Sequence, residues 1–152
     1  MIALLQRVTA AQVSVGGETI GAIQHGLLVL IGVVRGDDRA QADRLLQRVL
    51  DYRVFADAQG RMNLSLRQAG GGLLLVPQFT LAADTNRGNR ASFSHACAPE
   101  QAAALFEHLL AQAAIAHSPL AWGRFGAHME VSLVNDGPVT FWLESQNGAV
   151  DP

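Results

Sequence analysis

Leu73-Leu74-Leu75-Val76-Pro77-Gln78-Phe79-Thr80-Leu81 is apolar except at Gln78 and Thr80. It lies between Gly70-Gly71-Gly72 and the polar loop Ala82-Ala83-Asp84-Thr85-Asn86-Arg87. Turn residues on both sides of an apolar run predict a β-strand over 73–81. Strand side chains alternate faces, which puts Gln78 and Thr80 on one face and Pro77, Phe79 and Leu81 on the other. An amide and a hydroxyl then stand together in a segment built for burial. Left unpaired in a dry interior, each costs about 1–3 kcal/mol. They need partners, from the protein or from a ligand.

Upstream, residues 2–8 are predicted as a first strand. Residues 11–15 and 19–23 are predicted as a hairpin about Gly16-Gly17, which supplies the positive φ of a two-residue turn. Residues 26–34 (GLLVLIGVV) form a near-continuous apolar run, the pattern of a central strand buried on both faces. Asp37 or Asp38 caps a helix that runs to about Tyr52, with Ala42, Leu45, Leu46, Val49 and Leu50 at helical spacing. Residues 53–55 are extended, and Asp57-Ala58-Gln59-Gly60 is a turn. Downstream, Pro99-Glu100 starts a second helix that runs to about Ala116. Residues 129–134 and 139–143 are predicted as strands joined by a turn, Asn135-Asp136-Gly137-Pro138. Strands, a helix, strands, a second helix and a closing pair of strands, in that order, predict an α+β domain: a mostly antiparallel sheet, curved or barrel-like, with two main helices packed against it. Residues 1–145 read as one domain and 146–152 as a flexible tail.

Composition narrows the function. A net charge of −2 and a pI near 6.2 argue against a protein that coats duplex nucleic acid through its overall field. All eleven cationic residues are arginines. Arginine suits bidentate phosphate contact, although genome base composition produces the same bias. No apolar run approaches the roughly 18 residues of a membrane span. The N-terminus lacks a signal-peptide pattern, and the single cysteine, Cys97, cannot form an internal disulfide. These features point to the cytoplasm.

Several chemistries lack their residues. His25, His95, His108, His117 and His128 make no H-E-x-x-H and no Cys/His pair set, so no metal is expected. There is no G-x-S-x-G elbow, and Cys97 lies in a small-residue loop without an evident base. A G-x-G-x-x-G fingerprint and a P-loop are absent, so no nucleotide cofactor of those kinds is expected. What remains is Gln78 and Thr80, the Gly137-Pro138 turn, and the loop Asn86-Arg87-Gly88-Asn89-Arg90, whose guanidinium and amide groups suit phosphate or sugar contacts. Each has a plain structural alternative: a strand hydrogen bond, a hairpin connection and a solvated loop.

The combination is more specific than its parts. Gln78-Phe79-Thr80-Leu81, Ala91-Ser92-Phe93-Ser94, Gly123-Arg124-Phe125-Gly126-Ala127 and Asn135-Asp136-Gly137-Pro138-Val139-Thr140, in that order, resemble the D-aminoacyl-tRNA deacylases, also called D-tyrosyl-tRNA deacylases. Gln6-Arg7-Val8, the stretch from Gly26 and Met62-Asn63-Leu64-Ser65 fit the same family. The resemblance spans residues 1–144. It implies a homodimer that hydrolyses the ester of a D-amino acid on the 3′ end of tRNA, with no metal or organic cofactor. It implies that Gln78, Phe79 and Thr80 line the catalytic pocket. Gly137 and Pro138, joined by a cis peptide bond in the family, reach into the partner's pocket as a chiral filter. Met129 and Phe125 match positions near the pocket, and Arg7 matches an arginine that helps fix the Gly-Pro loop. Arg87 and Arg90 are the candidates for tRNA contact.

The family's chemistry rests on backbone groups and on the 2′-hydroxyl of the terminal adenosine. One departure bears on this: Pro77 stands where the family usually has serine, and it offers neither a hydroxyl nor an N–H. The oxyanion donors expected here are the backbone amides of Phe79 and Thr80. Chirality is read by excluding the wrong configuration. Exclusion cannot reject glycine, so glycyl-tRNA is an expected second substrate. The competing reading is a non-catalytic dimer that binds a small ligand or an RNA 3′ end. A third is a hydrolase of other D-amino-acid esters or amides.

Overall fold

A computed structural model describes residues 1–145; the tail expected at 146–152 lies outside the described residues. The elements run β1 (Ile2–Val15), β2 (Glu18–Ile23), β3 (Gly26–Gly32), α1 (Arg39–Asp51), β4 (Phe55–Ala56), β5 (Met62–Leu64), α2 (Leu66–Ala69), β6 (Gly72–Pro77), a 3-10 turn (Phe79–Ala82), α3 (Pro99–Ala116), β7 (Leu120–Trp122) and β8 (Glu130–Glu144). β1 is one long strand where two were predicted. Its pairing with β8 is bulged on both sides of Val8, so the chain bends at the predicted break without leaving the sheet.

β1 is hydrogen-bonded along both edges. One edge takes β8 antiparallel, from Ile2 opposite Glu144 to Ser14 opposite Glu130. The other takes β2 and β3 in succession, with Ala11 opposite Ile23 and Val8 opposite Gly26. β3 then pairs with β6, and β6 with β7, and both pairings are parallel. The sheet is therefore mostly antiparallel, as predicted, with parallel pairing confined to β3, β6 and β7. The reason lies in the connections. α1 with the β4–β5 hairpin returns the chain to the end of the sheet from which β3 started, and α3 does the same after β6, as parallel pairing requires. The two predicted helices are the crossovers.

Alternation explains the unbroken apolar runs. Leu27, Val29, Ile31, Leu73 and Leu75 face the helices, with Leu45, Leu46, Val49, Phe106 and Leu109. Leu28, Leu74 and Val76 face the other way, into a second core with Val8, Val13 and Ile23. Both faces are dry, so neither face of β3 or β6 needs polar residues. The sheet curls until it nearly closes: a Cβ on Gly21 of β2 would lie 2.9 Å from the Trp122 carbonyl oxygen of β7.

Local signals placed the helices. Asp38 caps α1, accepting from the Ala40 N–H (2.7 Å) and the Gln41 N–H (3.2 Å), while Gln41 Oε1 accepts from the Asp38 N–H (2.9 Å). Pro99 opens α3. α2 was not predicted, although Ser65-Leu66-Arg67-Gln68 carries the same reciprocal cap. Beside α1, the Met1 ammonium is buried and bonded to Asp37 Oδ1 (2.7 Å) and to the Ser145 carbonyl (2.7 Å). Asp37 Oδ2 also accepts from the Val34 N–H (2.8 Å), which ties the first strand to the loop before α1.

The tightest approach in the sheet is between two glycines. A Cβ on Gly26 would sit 1.9 Å from the Gly72 carbonyl oxygen, closer than any relaxation of a side chain can relieve. Gly26→Ala should destabilise the protein by about 3 kcal/mol or more, since backbone rather than a side chain must move. Guanidinium denaturation checks this; a wild-type midpoint with a wild-type slope would contradict it.

Candidate active site

The strand predicted over 73–81 ends early. The Gln78 N–H donates to the Ile31 carbonyl (2.7 Å), and the chain then turns out of the sheet into the 3-10 turn. Two features favour the exit. Pro77 has no N–H to continue a ladder, and β3 itself ends at Gly32, over which Leu81 folds. Gln78 and Thr80 are therefore not neighbours on a strand face. Gln78 Nε2 instead donates to Thr80 Oγ1 across the turn, and Thr80 is exposed. Phe79 is 61% exposed, not packed with Pro77 and Leu81.

The turn has a chemical consequence. The first N–H groups of a helix or helical turn have no acceptor behind them. Leu81 bonds back to Gln78, and Ala83 to Thr80. The amides of Phe79 and Thr80 meet no acceptor among the described residues. As strand residues, at least one would have been spent on the ladder.

A cavity of about 850 Å³ opens beside the turn. β3 contributes Ile31, β6 contributes Val76 and Pro77, and β8 contributes Val131. Gln78, Phe79, Phe125 and Met129 line it; Thr80, Arg7, Gly137, Pro138, Arg87 and Arg90 do not. Met129 lies against Gly123, where a Cβ would come within 2.8 Å of Sδ, and that sulfur accepts from the Arg124 N–H (3.3 Å). Most other wall residues were missed, Phe93 and Cys97 among them. Phe93 packs against Phe79 with ring centroids 5.2 Å apart, and its aromatic ring in a loop of small residues was the available signal. Cys97 had none. Burial, aided by the Asp37 carboxylate, pushes its thiol above the usual value, which leaves it a poor nucleophile. Among the described residues, no three His, Cys, Asp or Glu side chains gather in one place.

The predicted turn at 135–138 is also corrected. The backbone stays extended there, and β8 runs unbroken past it. Val8 pairs with Asn135, yet Gln6 pairs with Thr140, so residues 136–139 arch away from β1 as an extended bulge. Asn135 ties the base of the arch: its Oδ1 accepts from the Val139 N–H (2.8 Å) and its Nδ2 donates to Thr140 Oγ1 (3.1 Å). Arg7 holds the near side. Its Nε meets the Asp136 carbonyl (3.1 Å) and carboxylate (3.1 Å), and its Nη1 donates to the Val54 carbonyl (2.6 Å). At the crest, Gly137 and Pro138 are exposed and joined by a cis peptide bond, as are Ser118 and Pro119. Gly137 has φ +144°, and a Cβ there would lie 2.6 Å from Val139 Cγ2.

The loop after the 3-10 turn is pinched where Asp84 and Ser92 exchange backbone hydrogen bonds of 2.7 and 3.0 Å. Hydrogen bonds from Asn86, with a further pull from His95, hold the Asp84 carboxyl below its usual value. Arg87 and Arg90 are exposed beyond the pinch, and neither side chain makes a hydrogen bond or ion pair among the described residues.

Known proteins share this arrangement along nearly its whole length. The family model described as D-Tyr-tRNA(Tyr) deacylase matches residues 4–144. A D-aminoacyl-tRNA deacylase of Thioalkalivibrio sulfidiphilus is 67% identical over 144 residues, which covers 95% of this chain and 97% of that protein. One from Azotobacter vinelandii is 65% identical over 145 residues, covering 95% of this chain and all of that protein (100%). The solved structure of a protein named c-Myc DNA Unwinding Element Binding Protein superposes with a TM-score of 0.92 at 39% identity, covering 96% of this chain and 99% of that one. A probable eukaryotic D-amino acid tRNA deacylase superposes at 0.82 with 17% identity over 94% of this chain and 98% of that one, a likeness of fold alone. With two-thirds identity to full-length relatives and a family model that runs through every element from β1 to β8, this chain belongs to the D-Tyr-tRNA(Tyr) deacylase family.

Proposed function

We propose that the chain hydrolyses the ester between a D-amino acid and the 3′ end of tRNA, releasing both. The observation that carries this is a pair of amides, Phe79 and Thr80, that meet no acceptor among the described residues and lie in the turn beside a cavity of about 850 Å³. An aminoacyl ester is already activated. Its hydrolysis needs donors preset for the negative charge that develops on the carbonyl oxygen, and backbone N–H groups supply them without reorganisation. The attacking water is oriented by the 2′-hydroxyl of the terminal adenosine. No protein nucleophile enters: Pro77 has no hydroxyl, Cys97 is held as a thiol, and Thr80 Oγ1 is engaged by Gln78 with no base beside it. Gln78 and Thr80 position the turn, while Phe125 and Met129 shape the apolar wall.

The chirality filter in this proposal is the Gly137-Pro138 crest of a second copy, inserted into the cavity. Support comes from two features. The crest does not line its own cavity. β8, among the described residues, pairs only with β1, so its outer edge is open over fifteen residues and carries the exposed Val134 and Trp142. A long, partly apolar edge calls for a cover, and a twofold copy of itself supplies one. Arg87 and Arg90 are assigned to the tRNA backbone. Residues 1–145 form the deacylase unit, no cofactor takes part, and the site of action is the cytoplasm, where charged tRNA is used. No helix among the described residues is long and apolar enough to cross a membrane.

A second reading, a non-catalytic nucleic-acid binder, draws on the name of the relative at 39% identity. The net charge of −2 works against it for duplex DNA. Matched D-, L- and glycyl-tRNA separate the two readings: turnover of the D and glycyl esters with the L ester spared is expected, and inertness toward all three would leave only binding. Inertness toward the glycyl ester alone would exclude a purely steric filter. Thr80→Ala should lower kcat/KM by less than about tenfold, and a loss of about a thousandfold would make the hydroxyl a direct participant. Gly137→Ala, which drives a Cβ into Val139, should raise L-ester hydrolysis relative to D-ester by about tenfold or more as the crest shifts. An unchanged ratio would remove the arch from the filter.

A further inference from the structure

A second cleft of about 500 Å³ adjoins the cavity, and Arg35 lies in the wall of both. Ser94 and His95 border the same cleft. The backbone sets these residues side by side: the Arg35 N–H donates to the His95 carbonyl (2.9 Å), Val34 bridges Ala96, and the Cys97 N–H donates to the Val33 carbonyl (3.2 Å). Arg35 and His95 are exposed, and neither side chain makes a hydrogen bond or ion pair among the described residues.

Two carboxylates, Asp37 and Glu144, line the same cleft, and each has a partner. Asp37 holds the Met1 ammonium and the Val34 N–H. Glu144 Oε1 accepts from Trp142 Nε1 (2.7 Å). Asp84, which acts on His95 from outside the cleft, accepts from Asn86. Ser94 Oγ accepts from Ser92 Oγ (3.4 Å) and keeps its own proton to donate, so the donors that can meet a ligand are the Arg35 guanidinium, the His95 imidazole and the Ser94 hydroxyl. Together they make a donor set for a phosphodiester, with the arginine fork matched to two of its oxygens.

This inference rests on the deacylase reading. If the aminoacyl adenosine occupies the cavity, the strand that carries it leaves over the rim, and the first group outside is a phosphate. We propose that the Arg35–Ser94–His95 cleft binds the phosphate joining the terminal adenosine to the nucleotide before it. The cleft then distinguishes a D-amino acid carried on a polynucleotide from a free D-aminoacyl nucleoside. It raises the local residence of tRNA without touching the ester.

The test compares D-aminoacyl-tRNA with D-aminoacyl-adenosine, which has no upstream phosphate. In Arg35→Gln the ratio of kcat/KM for tRNA to that for the nucleoside should fall about tenfold, with the loss in KM rather than kcat. The salt dependence of the tRNA reaction should flatten by ~0.7 in log–log slope, the value for one lost contact to a single strand. His95→Gln should shift the ratio in the same direction, and Arg35→Lys should restore part of it, since an ammonium still meets a phosphate as a point charge. An unchanged ratio in both Arg35→Gln and His95→Gln would overturn the phosphate site and leave the deacylase reading intact. Wild-type protein inert toward both esters would overturn the deacylase reading on which the site rests.

Discussion

β1 is bonded along both edges, and the rest of the fold is arranged around that fact. β2 and β3 share one edge in a common register, so the chain between Ile23 and Gly26 can bend without losing a partner. That bend sends β2 toward β7 and β3 toward β6, and the sheet curls almost shut. β8 occupies the other edge and has no partner beyond it among the described residues. The fold is therefore asymmetric: one side closes over an apolar interior, while the other presents an open strand that carries the arch. An open edge of this length is a site for pairing with another chain.

Backbone donors, more than side chains, organise the candidate site. β6 stops at the point where β3 runs out of carbonyls, and the chain leaves as a 3-10 turn. The amides of Phe79 and Thr80 are freed by that exit. Around them are the aromatic pair Phe79–Phe93, the methionine seated against Gly123, and a thiol held protonated by burial. Under the proposed mechanism such a site tolerates Pro77, because the work would fall on the Phe79 and Thr80 peptide groups, which a proline at 77 does not remove.

Much of this was legible from local pattern. α1 and α3 carry their caps and their apolar period in the sequence, and their observed bounds differ little from those predicted, because helix hydrogen bonds are local. Burial of residues 26–32 and 73–76 on both faces was legible from their unbroken apolar character. The sense of their pairing was not, since Leu27 or Leu74 is equally content beside a parallel or an antiparallel neighbour. Asn135-Asp136-Gly137-Pro138 has the composition of a turn, and only the pairing of β8 with β1 on both sides shows that the strand passes through it. The grip of Arg7 on Asp136 joins residues far apart in the chain and had no local signature.

The sequence alone determined the family, the two crossover helices, the dry runs of the sheet and the residues Gln78, Phe79, Phe125 and Met129 that meet at the cavity. Only the tertiary structure decided that Gln78 and Thr80 bond to each other, that the amides of Phe79 and Thr80 have no acceptor among the described residues, and that the Gly137-Pro138 crest lies away from its own cavity. The physical reason is that a hydrogen-bonding group is free only with respect to everything placed around it. Apolar period and capping are settled within a few residues, but whether a peptide N–H has a partner depends on where the whole sheet begins and ends.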